Sequence, residues 1–458
     1  MASPSFESLP LSEPHLRNLA QLGYRTPTPI QQQTLPVILE GKDVIGRAKT
    51  GSGKTAAFGL GILHRLNPDR RGVQALVICP TRELVEQVAA EVRRLARASG
   101  NVKVLTLTGG SSARPQIESL GHGAHIVVGT PGRLLDLMDR GLLDLSAIHT
   151  LVLDEADRMV DMGFFADVME IVQSCPTARQ TMLFSATYPE TIRKDVDRLL
   201  RSPEMVETDT EHDEGQIQQQ FYEVAEDRRF ESVANLLRIF QPEAALLFCN
   251  TRAACVDLTA YLAGFGFSVK SLHGDMDQRD RDDVFAQFAN QSCRLLVATD
   301  VAARGLDIPE LPMVMNVELA RDASVHVHRV GRTGRMQQSG LALSLVSPEE
   351  QHVAARIAEF QNIPIKMQKV PRPAADAGPI RASMATLLVL GGKKAKLRPG
   401  DLLGALIRDL GLERDQVGKI SISDQVSHVA IERGVADRVL RKRGEILVKG
   451  KKQRIKIL

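Results

Sequence analysis

The segment AKTGSGKT, residues 48–55, has the residue types of a loop that binds phosphate groups. It lies between the short apolar run VIGR and a helical pattern, so backbone N–H groups and a helix N-terminus would face the phosphate oxygens. The Lys54 ammonium would then reach the β- and γ-phosphates, and the Thr55 hydroxyl would bind Mg²⁺. Ala48 occupies the position of the first glycine in the general pattern of such loops. The predicted nucleotide contacts in this loop are Thr50, Gly51, Ser52, Gly53, Lys54 and Thr55.

The acidic motif DEAD, residues 154–157, directly follows the apolar run TLVL. Side chains at the carboxyl end of a parallel strand lie where ligands bind in open α/β sheets. Asp154 would bind Mg²⁺ there, and Glu155 would orient and deprotonate an attacking water. Acidic residues in such a position can also be simple helix caps. Because a phosphate loop precedes them, we favour hydrolysis of a nucleoside triphosphate.

The elements that must position these residues alternate between short β-rich apolar runs and longer amphipathic segments. The alternation extends from residue 43 to about 205 and resumes after a polar stretch at 210–220, which predicts two α/β domains with parallel sheets. Three prolines within 371–379 indicate a tether. The runs beyond them predict a small ferredoxin-like α+β domain of β-α-β-β-α-β order. The predicted boundaries are a first domain at 1–208, a linker at 209–216, a second domain at 217–365, a linker at 366–382 and a C-terminal domain at 383–458.

The net charge of +3 is unevenly divided along the 458 residues. Residues 381–458 hold 18 Lys and Arg against 8 Asp and Glu, whereas the rest of the chain is net acidic. A basic module on an acidic body predicts a polyanion-binding appendage, with a merely solvated basic face as the alternative. Lysine and arginine side chains on a predicted loop between a strand and a helix are the first candidates for contact with such a polyanion: Lys393, Lys394, Lys396 and Arg398.

Other features argue against a zinc or histidine metal site, a disulfide framework and a membrane span. The five cysteines form no Cys-x-x-Cys pair, so neither a zinc site nor a disulfide framework is expected. His326 and His328 lie two apart without a third ligand pattern, which does not predict a metal site. No run approaches the roughly 18 apolar residues that a membrane span needs. We therefore expect a cytoplasmic protein that does not associate with membranes.

The chain resembles the DEAD-box RNA helicases, because the motifs of that family occur in the family's order over residues 6–347. The resemblance implies two tandem RecA-like domains that use ATP and Mg²⁺ and act on RNA. In the family, a segment that reads adenine precedes the phosphate loop, and GYRTPTPIQ at 23–31, which includes Arg25, matches it. Gln31 is then expected to pair with adenine, because its amide offers a donor and an acceptor. Phe6 matches the isolated aromatic residue upstream of that segment.

Further family motifs imply roles in catalysis, coupling and RNA contact. In HRVGRTGR, Arg332 and Arg335 would reach across the interdomain cleft and stabilise charge on the γ-phosphate. Asp307 would lie near the nucleotide. Ser185 and Thr187 of the SAT motif would link the DEAD carboxylates to domain closure. Contacts to phosphates and sugars, which carry no base sequence, are implied for Pro80, Thr81, Arg82, Gly109, Gly110, Thr130, Arg133, Arg252, Gly274 and Thr299.

The basic C-terminal module is similar to the RRM-like RNA-binding domain of one bacterial type of DEAD-box helicase. That similarity implies recognition of a structured element of large-subunit ribosomal RNA, or of its precursor particle, without an obligate protein partner. The module contains no Phe, Tyr or Trp, so the base-stacking residues of an ordinary RRM are absent. Two other functions stay open at this point: a DNA-directed helicase, and an ATP-gated RNA clamp that rarely turns over.

Overall fold

A computed structural model describes residues 5–48, 51–185, 198–208, 217–303, 311–334, 340–442 and 444–458. The chain divides into two compact units, the first with the strands up to residue 207 and the second with those from residue 217 onward. Among the described residues, no helix has both the length and the apolar composition that crossing a bilayer requires.

The first unit is built on a parallel sheet, as the alternating apolar runs predict. Its strands are β1 (Val44–Arg47), β2 (Ala75–Ile78), β3 (Val104–Leu107), β4 (Ile126–Gly129), β5 (Thr150–Asp154), β6 (Gln180–Ser185) and β7 (Glu204–Glu207). Their order is β3-β4-β2-β5-β6-β1-β7, with every pair parallel. Its helices are α1 (Glu13–Gln21), α2 (Pro29–Leu39), α3 (Lys54–Arg65), α4 (Arg82–Leu95), α5 (Arg114–Gly121), α6 (Pro131–Asp139), α7 (Ala156–Asp161) and α8 (Phe165–Gln173). Successive strand residues such as Val44 and Ile45 enter different cores, because the sheet is covered on both faces.

A second parallel sheet follows in the other unit. Its strands are β8 (Ile217–Glu223), β9 (Ala245–Cys249), β10 (Val269–Leu272), β11 (Leu295–Thr299), β12 (Met313–Asn316), β13 (Gly340–Val346) and β14 (Met367–Lys369). They lie in the order β10-β11-β9-β12-β13-β8-β14. The helices are α9 (Arg229–Phe240), α10 (Arg252–Gly264), α11 (Gln278–Ala289), α12 (Asp300–Ala303), α13 (Ala323–Val330) and α14 (Gln351–Gln361). The two seven-stranded sheets confirm the predicted pair of RecA-like folds.

The C-terminal domain is a small antiparallel sheet with helices on one face. Its strands are β15 (Met384–Val389), β16 (Val417–Ile422), β17 (Ser427–Glu432), β18 (Glu445–Val448) and β19 (Lys451–Ile457), and its helices are α15 (Pro399–Leu410) and α16 (Arg433–Lys442). The order is β16-β17-β15-β19-β18, which adds one strand to the predicted β-α-β-β-α-β pattern. The extra strand arises because Lys449 and Gly450 both adopt positive φ, as a two-residue hairpin turn requires.

The opposite face of this small sheet packs on the second parallel-sheet domain. Register pairs Thr386 with Ala430 and Leu388 with His428, while the intervening residues fill the domain's own core. All four side chains are buried. Thr386 Oγ1 accepts a hydrogen bond from Asn290 Nδ2 at 2.9 Å, and His428 Nε2 lies 2.7 Å from Asp283 Oδ1 on α11. Polar contacts therefore join the two domains on the face where an ordinary RRM binds RNA.

The predicted linker at 366–382 follows the second domain closely. Its first residues form β14, an edge strand paired with β8. Gln241 Nε2 donates to the Gly378 carbonyl at 2.9 Å, and the Ser268 amide donates to the Ile380 carbonyl at 2.8 Å. The Ile380 side chain packs in the core of the second domain. The tether is thus held at both ends.

His326 is a buried histidine on α13 that packs on an aromatic ring. It stacks on Phe221 with ring centroids 6.2 Å apart, and neither ring nitrogen has a hydrogen-bond partner among the described residues. Burial, with a contribution from Arg329, lowers the pKa of His326 to about 3. The described residues also contain no cluster of three or more metal-ligating side chains. His326 is accordingly a neutral core residue.

We expect acid to destabilise the second domain through His326. The unfolded histidine, with an ordinary pKa of 6.5, binds a proton that the folded one does not, so stability is lost as pH falls below 6.5 towards 3. Linkage gives a loss of about 2 kcal/mol between about pH 7.5 and 5. His326→Phe should flatten the pH dependence of urea unfolding by that amount, whereas replacing the exposed His352 with Asn should not. Equal slopes for wild type and His326→Phe would contradict this assignment.

Candidate active site and nucleic-acid interface

The phosphate loop joins β1 to α3, as its sequence predicts. Gly51 and Gly53 adopt φ of 83° and 95°, and Gly53 caps α3 in the left-handed region. A Cβ at Gly53 would lie 2.4 Å from Gln31 Nε2, so only glycine fits there. Thr50 lies outside the described residues, while Ser52 and Thr55 are partly exposed at the start of the helix.

Lys54 is buried at the base of this loop. Its ammonium donates a hydrogen bond to the Ala48 carbonyl. Burial lowers the pKa of Lys54, and three neighbouring carboxylates oppose that change. Lys54 therefore lies at the phosphate loop, and its contact with phosphate stays a prediction.

Asp154 and Glu155, the first two carboxylates of the acidic motif, are buried where β5 ends. Burial, reinforced by the charge of Glu155, raises the pKa of Asp154 to about 7. Glu155 caps α7 with φ 55° and ψ 53°, a left-handed conformation that is unfavourable for a residue with a side chain. Its Oε2 atom forms an ion pair with Arg158 Nη1. Sequence reasoning did not single out Arg158, although it directly follows the DEAD motif.

The serine of the SAT motif contacts the acidic motif. β6 lies between β5 and β1 in the sheet and ends at Ser185. Ser185 Oγ accepts a hydrogen bond from the Asp157 amide at 3.2 Å. The coupling role of Ser185 stays a prediction. Thr187 lies outside the described residues.

Gln31 connects the predicted adenine-reading segment to the phosphate loop. Its Oε1 atom accepts from the Thr28 amide at 2.9 Å, and its Nε2 atom donates to the Gly53 carbonyl at 3.0 Å. Arg25 is exposed, whereas Phe6 is buried with its ring edge-on to Tyr24 at 6.3 Å. The structure therefore brings Gln31 to the loop, and contact between any of these residues and adenine stays a prediction.

The first-domain motifs assigned to RNA meet at one edge of the sheet. They follow β2, β3 and β4, which are neighbours, and Thr81 caps α4 just after Pro80 by accepting from the Leu84 amide. The Gly109 amide donates to Thr130 Oγ1 at 3.4 Å, and Arg133 Nη2 donates to the Ser111 carbonyl at 2.9 Å. These loops therefore form one surface.

Gly110 makes room in that surface for Arg82. Its φ is 63°, and a Cβ there would lie 1.2 Å from Arg82 Nη2. Any larger residue at position 110 must therefore displace the Arg82 guanidinium. At Gly109, by contrast, a Cβ would meet no atom within 4 Å.

In the second parallel-sheet domain, three of the predicted RNA contacts follow neighbouring strands. Arg252 begins α10 and forms an ion pair with Asp275, next to Gly274. Thr299 ends β11, beside β9 and β10. Arg332 follows α13, while Arg335 and Asp307 lie outside the described residues.

A buried arginine that sequence reasoning passed over connects these segments. The Arg329 side chain is 1% exposed and binds both Asp300 carboxylate oxygens, at 2.7 and 2.8 Å. It also donates to Asn250 Oδ1 and to the Glu318 carbonyl, each at 2.7 Å. Arg329 therefore ties the ends of β9, β11 and β12 to the helix that precedes Arg332. Its place inside HRVGRTGR was the signal that could have found it.

The basic loop of the C-terminal domain is exposed and joined to the β18–β19 turn. Lys449 Nζ donates to the Lys396 carbonyl at 2.9 Å and lies 2.7 Å from an Asp401 carboxylate oxygen. Four loop cations and five from the hairpin point to solvent: Lys393, Lys394, Lys396, Arg398, Lys449, Lys451, Lys452, Arg454 and Lys456. Two basic segments that are distant in sequence thus form a continuous candidate surface for a polyanion.

Family comparisons agree with this arrangement. Residues 28–195 match the family described as DEAD/DEAH box helicase, residues 228–337 match the helicase conserved C-terminal domain, and residues 386–457 match the DbpA RNA binding domain. The three matches follow the three folded domains in order.

Individual relatives give the same result. The ATP-dependent RNA helicase DbpA of Escherichia coli (strain K12) is 48% identical over 455 residues, 99% of each chain. The protein of that name from Bacillus subtilis (strain 168) is 36% identical over 98% of each chain. Among solved structures, S. cerevisiae Dbp5 bound to RNA and ADP BeF3 superposes with a TM-score of 0.72 and 29% identity, covering 81% of this chain and 96% of the other.

Gly110→Ala should weaken RNA binding by displacing Arg82. We expect about a tenfold loss of affinity for single-stranded RNA, the cost of one charge-assisted contact, with little change in the KM for ATP. Gly121→Ala is the matched control, because its added methyl also meets no atom within 4 Å and Gly121, at the end of α5, is not among the predicted RNA contacts. Fluorescence anisotropy with labelled RNA measures both variants. Equal affinities for the two would remove Arg82 from the RNA surface.

Proposed function

Because the chain belongs to the DEAD-box family of ATP-dependent RNA helicases, we propose that it locally unwinds or remodels RNA duplexes in the cytoplasm during assembly of the large ribosomal subunit. Its C-terminal domain would direct it to structured ribosomal RNA or to a precursor particle. The observation that carries this proposal is the convergence of phosphate loop, buried carboxylates and RNA-contact loops on one sheet edge, in a chain that also has an exposed basic module.

The residues present fit a magnesium–triphosphate complex. Asp154 and Thr55 offer the oxygen donors that Mg²⁺ prefers, and Lys54 places an ammonium beside them. The metal, when bound, neutralises charge on the β- and γ-phosphates. Asp154 is buried with a raised pKa, so a neighbouring dication would stabilise its ionised form.

Hydrolysis itself would depend on Glu155. Its carboxylate accepts a proton from the attacking water as the water bonds to the γ-phosphorus and the β–γ bridging oxygen leaves. Arg332 and Arg335 of the second domain, with Asp307 near the nucleotide, would stabilise the charge that develops on the phosphoryl group. Ser185 and Thr187 would link the DEAD carboxylates to domain closure.

RNA binding would be divided between two surfaces. The loops of the parallel-sheet domains hold phosphates and sugars, so the core accepts many sequences. ATP and RNA would each favour the same closed state, so binding of one increases affinity for the other. The C-terminal domain would supply selectivity through its basic loop, since its sheet face is partly covered and lacks aromatic residues. If six phosphates were contacted, log K would fall with log salt at a slope of about −4.

Two competing functions make different measurable predictions. A DNA-directed helicase would respond to DNA as strongly as to RNA. An RNA clamp would bind with ATP and displace at most one strand per cycle, with slow release. Strand displacement that recycles only when ATP is hydrolysed supports the helicase over the clamp.

Glu155→Gln should abolish turnover while keeping nucleotide binding. The amide retains the size of the side chain but cannot take the proton of the attacking water, so kcat should fall by about 10²- to 10⁴-fold. Steady-state phosphate release with saturating RNA measures kcat, and a fluorescent ATP analogue measures binding. Undiminished turnover by the variant would remove Glu155 as the base.

Removing residues 381–458 should separate chemistry from RNA choice. Ile380 stays to fill the core of the second domain, so the two parallel-sheet domains should remain folded. We expect basal ATP hydrolysis within about threefold of the full chain, because no described residue of the phosphate site is removed. Stimulation by ribosomal RNA fragments should drop to that given by unrelated RNA. A truncated chain that still prefers ribosomal RNA would show that the C-terminal domain does not select it.

A further inference from the structure

The ion pair between Arg158 and Glu155 lies at the centre of the candidate site. The two residues are three apart across the start of α7, and their side chains are only 5% and 7% exposed. Such a pair is held in one geometry by its surroundings, unlike an exposed pair that exchanges with water. The rotamer of Glu155 is therefore determined by Arg158 as well as by its own backbone.

The Arg158 contact leaves acceptor capacity on the Glu155 carboxylate. Glu155 is buried, and Arg158 Nη1 lies next to its Oε2 atom. An ionised carboxylate has two oxygens with about four acceptor sites, so a contact to one guanidinium nitrogen does not fill them. A water molecule aligned for attack is a donor that could use a remaining site.

The Arg158 guanidinium also compensates the negative charge of the buried carboxylates. Asp154, Glu155 and Asp157 are all buried, and Lys54 is the cation from the phosphate loop. Burying carboxylates without compensating charge is costly. The Arg158 charge also acts beyond its direct partner. It opposes the burial that raises the pKa of Asp154, and it adds to the burial that lowers the pKa of Lys54.

We propose that Arg158 is a positioning residue for ATP hydrolysis, which holds the Glu155 carboxylate in place through Oε2 while the carboxylate keeps acceptor sites for the attacking water. This inference rests on the proposed role of Glu155 as the base. Arginine suits the task because its guanidinium stays charged and is rigid and planar. A displacement of about 1 Å at a reacting group can cost about a hundredfold in rate, so loss of Arg158 would act on kcat.

The test compares Arg158→Met with Arg158→Lys in the full chain. With saturating RNA, Arg158→Met should lower kcat by about 10- to 100-fold, with the KM for ATP and the affinity for a non-hydrolysable ATP analogue within about twofold of wild type. Arg158→Lys should recover part of kcat. Arg179→Met is the matched control, because Arg179 is also buried but donates to the Pro176 and Leu199 carbonyls outside the site. It should lower the melting temperature without lowering kcat.

A double variant distinguishes a failure of the positioning role of Arg158 from a failure of the assignment of Glu155 as the base. In a Glu155→Gln background, Arg158→Met should cause little further loss, because the group that it positions no longer acts as a base. If the two losses multiply, or if Arg158→Met alone keeps wild-type kcat, Arg158 does not act through Glu155 and the inference fails. Full activity of Glu155→Gln would instead overturn the base assignment. If Arg158→Met does not fold, a kcat for Arg158→Lys within twofold of wild type overturns the inference.

Discussion

The requirement to gather opposite charges at one buried sheet edge shapes the first domain. In a parallel sheet, the carboxyl ends of all strands meet at the same edge, and the order β5-β6-β1 places the acidic motif, Ser185 and the phosphate loop side by side. The positive charges of Lys54 and Arg158 then compensate the negative charges of Asp154 and Glu155 at the end of β5. Burial makes each of these charges depend on its neighbours, because water does not screen them. The charged groups of the site are therefore already in place when a nucleotide binds.

In the second domain, a single buried arginine compensates charge and binds polar groups at the strand ends. Arg329 satisfies Asp300, Asn250 and a backbone carbonyl from three strand ends, so the loops that follow those strands are held in one arrangement. Helix α13, which carries Arg329, leads directly to Arg332. The predicted RNA contacts of this domain and Arg332, which is predicted to stabilise charge on the γ-phosphate, are therefore connected through one buried side chain.

Local sequence patterns were sufficient for much of this architecture. The apolar runs predicted both parallel sheets, and the motif spacing predicted that Lys54, Asp154 and Glu155 would converge, because strand ends share an edge in any such sheet. Arg158 and Arg329 were missed because their partners are set by packing: each lies in or beside a recognised motif, but the motif alone does not show that the guanidinium is buried. The extra strand β18 escaped notice because it is four residues long and depends on the Lys449–Gly450 turn. The packing of the small sheet on α11 was equally hidden, since Thr386 and His428 look like ordinary polar strand residues.

That packing bears on how the C-terminal domain can use RNA. With Thr386 and His428 bound by the second domain, the exposed cations of the 393–398 loop and of the β18–β19 hairpin are available to contact phosphates.

ATP hydrolysis that depends on RNA is tested by steady-state phosphate release from the purified full-length chain, alone, with structured large-subunit ribosomal RNA and with DNA of matched sequence. We expect slow hydrolysis by the chain alone, strong stimulation by the RNA and little stimulation by the DNA. A folded protein that releases no phosphate with any RNA, or that responds equally to DNA, would contradict this expectation.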